Sequence, residues 1–185
     1  RVRYEMMETL LNGRVEIWCG DCIDVLPKIG EFDHCITDPP YEDHMHTAKA
    51  GARRVRQDGY RIAPPVDFAA IGDLRERVTP QIAVKCQGWF IAFCTPEGIA
   101  AWRDSIEASG VRYKRACFLC KTDSAPQFNG QGPAFAVEPF VTAWCGHGVS
   151  RWNGGGRRNW FVHSVNQSDR EGTHPTEKPI SLMLE

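Results

Sequence analysis

Residues 32–41 read "FDHCITDPPY". Phe32, Cys35 and Ile36 form a short apolar run, bounded by turn formers as a buried strand would be. It ends on Asp38, because Pro39 and Pro40 cannot donate to a strand ladder. Asp38 is thereby placed at the C-terminal tip of a strand, the place where ligands gather in open α/β sheets. The two prolines remove N–H donors and leave their carbonyl oxygens as acceptors on a stiff backbone. The result is a corner of acceptors beside one carboxylate, suited to a group with two N–H donors.

Outward from that corner, strand-like and helix-like segments alternate. "VEIWC" (15–19) is a short apolar run before Gly20, and "CIDVLPKI" (22–29) predicts a short helix disturbed by Pro27. Ile71, Leu74, Val78 and Ile82 recur at three- and four-residue spacing, which predicts a helix within 67–87, split in two at Pro80. "GWFIAFC" (88–94) is continuously apolar, as a strand buried on both faces would be. Thr95-Pro96-Glu97 signals a helix start and Gly110 its end. "YKRACFLC" and "VEPFVTAWC" (137–145) predict two more strands with a Gly/Pro/Asn loop between them. Alternation of this kind argues for an α/β domain with a largely parallel sheet. Residues 42–66 and 146–172 lack a period; the first reads as a mobile basic loop, the second as an irregular Gly- and Arg-rich segment.

The bulk properties set bounds. At 185 residues the chain is one domain's length, and a net charge of −1 makes any nucleic-acid contact a matter of local patches. No apolar stretch approaches the roughly 20 residues of a membrane span. The start resembles no secretion signal, so the expectation is a cytoplasmic protein with no membrane partner. The pairs Cys19/Cys22 and Cys117/Cys120 have metal-ligand spacing but continue strand-like runs. They read as reduced, mostly buried thiols. His44 and His46 lack a third ligand nearby, and no metal site is expected.

An exocyclic amine on a nucleobase is a poor nucleophile, because its lone pair is delocalised into the ring. If Asp38 and the Pro39 carbonyl each accept one N–H, the nitrogen moves towards a tetrahedral shape and its lone pair can face an electrophile. Tyr41 offers a face on which such a base can stack after leaving the duplex.

"DPPY" (38–41) resembles the signature of the DNA amino-methyltransferases, which move a methyl group from S-adenosylmethionine to adenine N6 or cytosine N4. The Asp-first form is typical of the adenine-N6 enzymes. "CGDCIDVLPKIGEFDHCITDPPY" is similar to the family's N-terminal block. "THPTEKPISLM" (173–183) is similar to the segment that, in the β-class arrangement, precedes the cofactor-binding strand. The resemblance implies a Rossmann-like (class I) methyltransferase sheet in permuted order. It implies that Asp38, Pro39 and Tyr41 form the catalytic corner, with Pro40 shaping it. It puts His174, Thr176 and Lys178 near the methionine end of S-adenosylmethionine, along with Asp38, and Asp21 near the adenine; an Asp after Gly can equally be a helix cap.

In that family a Phe-x-Gly-x-Gly loop follows "HPTEKP". Neither it nor a substitute occurs before Glu185, so a fragment incomplete at its C-terminus is expected. The implied activity is adenine-N6 methylation of double-stranded DNA, as in restriction-modification. Cytosine-N4 methylation and a non-catalytic DNA-binding remnant are the alternatives. Lys49, Arg53, Arg54, Arg56 and Arg61 in the 42–66 loop are candidates for phosphate contact. The family places target recognition in the region of 146–172, where Arg151, Arg157 and Arg158 lie. That stretch is short, so recognition would be shared with the 42–66 loop or with a second subunit, as a homodimer.

Overall fold

The computed structural model describes residues 6–42, 69–124, 126, 130–164 and 177–185. Five strands form the main sheet: β3 (Cys35–Thr37), β4 (Trp89–Phe93), β5 (Arg112–Lys121), β6 (Val137–Trp144) and β7 (Trp160–His163), in the order β3-β4-β6-β5-β7. The β3–β4 and β5–β7 ladders are parallel, and β6 is antiparallel to both β4 and β5. Four strands therefore share one direction, and the sheet is mixed rather than simply parallel. The reversal comes from β5 and β6 being consecutive and directly paired, which needs no crossover helix.

Three further expectations are corrected. "VEIWC" is a strand, but it pairs with β1 (Met6–Leu10) in a separate hairpin as β2 (Val15–Cys19). The helix over Leu74–Lys85 runs unbroken through Pro80. Pro80 is exposed, as is Glu76, whose carbonyl loses its partner, so water can satisfy that carbonyl. The segment 146–172 is not wholly irregular, since β7 lies within it, paired with Phe118–Lys121 of β5.

The remaining helices are α1 (Cys22–Val25), α3 (Ile99–Ala108) and α4 (Ile180–Met183), with Leu74–Lys85 as α2. Thr95 caps the start of the α3 segment by accepting from Gly98 N, and Gly110 ends it at φ +76°, a conformation glycine adopts without penalty. Strand alternation divides the core into two. Phe90, Ala92, Val141 and Ala143 face α2 and α3 and pack with Val78, Ile82, Trp102 and Ile106. Phe93, Cys117, Leu119 and Phe140 face the other way and pack with Leu182 of α4. That second face is only partly covered: Trp89 and Ile91 are half-buried, so β4 is not buried on both faces as its composition suggests. They help line a cavity of about 490 Å³ with Trp144, Trp152 and Leu182. Three of the eight thiols, Cys86, Cys94 and Cys117, are buried, while Cys19 and Cys22 are exposed.

Candidate active site

The shared strand direction brings Thr37, Cys94, Lys121 and His163 to one edge of the sheet. Asp38 follows Thr37 there. Because β6 is reversed, its start lies at the same edge, and Glu138 is its second residue. Lys178, just before α4, completes the group.

These residues close a ring of polar contacts. Lys178 Nζ lies 2.6 Å from Asp38 Oδ2 and 3.0 Å from Glu138 Oε1. The Tyr41 hydroxyl is 3.1 Å from Asp38 Oδ1 and makes a very short hydrogen bond to Glu138 Oε1. Lys121, the last residue of β5, pairs with Glu138 Oε2 at 2.7 Å. Asp38 and Glu138 thus face Lys121 and Lys178, two charges against two.

Burial differs sharply within the ring. The Asp38 side chain is 40% exposed, whereas that of Glu138 is 7% exposed. The Asp38–Lys178 pair therefore sits at the mouth of the site and leaves carboxylate surface open. Burial pushes the Glu138 carboxyl up, but Lys178 and Lys121 outweigh it and hold the group below the usual range. Burial, then the Glu138 and Asp38 charges, push the Tyr41 phenol far above its ordinary value, so it stays protonated. The Tyr41 ring is half-buried against the Phe93–Phe140–Leu182 cluster, with the Lys178 ammonium 5.6 Å from its centroid.

The chain after Tyr41 is fastened twice. Tyr41 O accepts from Ile71 N at 3.0 Å. The Glu42 carboxylate accepts from Arg75 Nη2 at 2.8 Å and from Thr95 Oγ1 at 2.6 Å, and Arg75 and Thr95 are both buried. Asp38–Glu42 is thereby clamped between α2 and the start of α3.

Asp21 Oδ1 accepts from Ile23 N at 3.0 Å and caps α1. Arg151 accepts the Trp89 indole N–H on its backbone carbonyl, at the far end of β4 from Asp38, a strand length of roughly 15 Å. Arg157 pairs with Glu185 at 3.9 Å, and Arg158 lies 5.5 Å from the Trp160 ring centroid. None of these three arginines joins the Asp38 cluster. His174, Thr176 and the basic residues Lys49, Arg53, Arg54, Arg56 and Arg61 lie outside the described residues.

Glu138, Lys121 and Glu42 escape a reading by motif. The available signal for Glu138 is a lone acid in the apolar run "VEPFVTAWC". A carboxylate there must find a partner, since burying a bare charge is costly.

M1.HpyAVI, solved as a SAM complex, superposes with a TM-score of 0.54 at 17% identity, covering 86% of this chain and 65% of that one. The chain shares the M1.HpyAVI fold. A second structure of M1.HpyAVI gives a TM-score of 0.50 at 16% identity, over 77% of this chain and 62% of that one. The architecture is thus a mixed α/β fold shared with M1.HpyAVI, and the chain spans under two thirds of the length of these solved structures. No protein-family model matches the sequence, and neither does any curated protein.

Proposed function

We propose that the chain carries the catalytic corner of an S-adenosylmethionine-dependent DNA methyltransferase acting on adenine N6. The observation that carries this reading is Asp38: a partly exposed carboxylate at a strand tip, beside two prolines, on a methyltransferase fold. Asp38 Oδ1 and the Pro39 carbonyl accept the two N–H bonds of the target amine, and Tyr41 offers its ring to the flipped base. S-adenosylmethionine, when bound, supplies a methyl group on a sulfonium, which the amine nitrogen takes as the carbon–sulfur bond breaks. The nitrogen's surplus proton leaves by way of Asp38 to solvent.

The donor set suits this cofactor. An acceptor-rich mouth holding a carboxylate stabilises positive charge, which both a sulfonium and a methylated amine present. In the geometry described, Lys178 is the counter-ion of Asp38. To meet the cofactor's carboxylate it must exchange one partner for another. The arginines of the 42–66 loop hold DNA phosphates in this reading.

The test is transfer of labelled methyl from S-adenosylmethionine to duplex DNA by the wild-type chain and by Asp38→Ala. Incorporation that depends on Asp38 supports the reading. Incorporation unchanged by Asp38→Ala, or none at all with the wild type, overturns it.

A further inference from the structure

Both oxygens of Asp38 touch groups that also meet at Glu138 Oε1, and Lys178 Nζ donates to the Tyr41 hydroxyl at 3.3 Å, which leaves the phenol oxygen accepting there. Tyr41 bridges from Oδ1 and Lys178 from Oδ2. An acid needed only to balance charge in the sheet would be served by Lys121, which already holds Oε2. The second oxygen does something more specific. A phenol has one proton to donate, and two carboxylates stand within reach of the Tyr41 hydroxyl. The contact to Glu138 is the shorter, so the proton lies on that side and an acceptor position on Asp38 Oδ1 stays open.

We propose that Glu138 is a positioning residue for methyl transfer: it accepts the Tyr41 hydroxyl's hydrogen bond and steadies Lys178, and so keeps Asp38 Oδ1 free to accept the substrate amine. The inference rests on the methyltransferase reading above. Its balance is simple, since no covalent bond forms or breaks and only the direction of one O–H changes. With Glu138 neutralised, the phenol turns to Asp38, fills Oδ1 and competes with the amine. The ring of Tyr41 and the carboxylate of Asp38 remain where they were.

The experiment compares the wild type, Glu138→Gln, Tyr41→Phe and the double variant in single-turnover methyl transfer to duplex DNA, with thermal unfolding as the control for folding. Glu138→Gln is expected to lower the transfer rate 30- to 100-fold with DNA affinity within about threefold. Tyr41→Phe removes the competing proton and keeps the ring, so it costs less than about fivefold. In the double variant the rate is expected to recover at least fivefold over Glu138→Gln. Rescue by a second deletion is not the behaviour of a residue that merely holds the fold. If Glu138→Gln unfolds, the comparison is made in a Glu138→Gln/Lys121→Gln background, which removes one charge of each sign.

A double variant no faster than Glu138→Gln overturns the proposal, as does a Glu138→Gln variant equal to wild type. Both outcomes leave the methyltransferase reading intact. A wild type that transfers no methyl overturns that reading instead.

Discussion

Lys178 Nζ lies 2.6 Å from Asp38 Oδ2, although 140 positions separate the two in the chain. The contact brings the two ends of the sequence resemblance to one edge of the sheet. Lys178→Met leaves Asp38 without its cation and Glu138 with Lys121 alone. Methyl transfer is expected to fall at least 100-fold, and stability by about 1–3 kcal/mol, less than a buried pair usually costs because Glu138 keeps one partner. Methyl incorporation and urea unfolding measure the two effects separately.

The clamp on Glu42 should matter more for shape than for chemistry. Thr95 Oγ1 donates to Glu42 and accepts from Gly98 N, in a fully buried position. Thr95→Ala removes a cap and a charge-assisted hydrogen bond, at a cost of about 1–3 kcal/mol. Gly98→Ala should be as harmful, since a Cβ there would stand 2.1 Å from Glu42 Oε1. Both variants should show a lower denaturant midpoint. A midpoint equal to wild type would remove Glu42 from the account.

The pH dependence follows from Glu138. Its folded-state pKa is depressed by Lys178 and Lys121 against the opposing effect of burial. A depressed carboxyl adds stability that is complete above the ordinary glutamate value of 4.5 and is lost as pH falls through the lower folded value. Glu138→Gln should flatten the acid limb of the stability curve below about pH 4.5. An acid limb as steep as that of the wild type would assign it to other carboxyls.

Burial raises the thiols of Cys35 and Cys94 to about 12 and that of Cys117 to about 11. A raised pKa adds stability that is complete below the ordinary thiol value of 9.0 and is lost as pH climbs towards 11–12. At pH 8 in the native protein, these three should resist a thiol reagent that labels exposed Cys19 within minutes. Peptide mapping after brief labelling checks this.

Charge reversal of Arg53, Arg54 and Arg56 should weaken DNA binding alike across sequences. For every phosphate that the variant no longer neutralises, the slope of log affinity against log salt should become shallower by about 0.9. A slope equal to that of the wild type would show that these arginines do not meet phosphate.

The parts legible in the sequence were those set by local chemistry. Two consecutive prolines lack the donors a strand ladder needs, so Asp38 falls at a strand tip by local chemistry alone, whereas the single Pro139 is carried inside β6. Thr95 and Gly110 marked the α3 segment by backbone rules of the same kind. Glu138 was not legible, because its role arises from strand direction. Only a reversed β6 brings its second residue beside the ends of β3 and β5, and no local pattern states that reversal. Pro80 misled for the opposite reason: its effect depends on whether the orphaned carbonyl meets water, which tertiary position decides. β7 was hidden as four residues amid glycine and arginine, and acquires its partner only from β5.

In the proposed reaction Asp38 receives an adenine amine. Duplex DNA methylated by the wild-type chain, digested to nucleosides and resolved by mass spectrometry, tests this most directly. The expected product is N6-methyladenine, absent when Asp38→Ala replaces the wild type. Modification confined to cytosine N4, or present equally with Asp38→Ala, would contradict it.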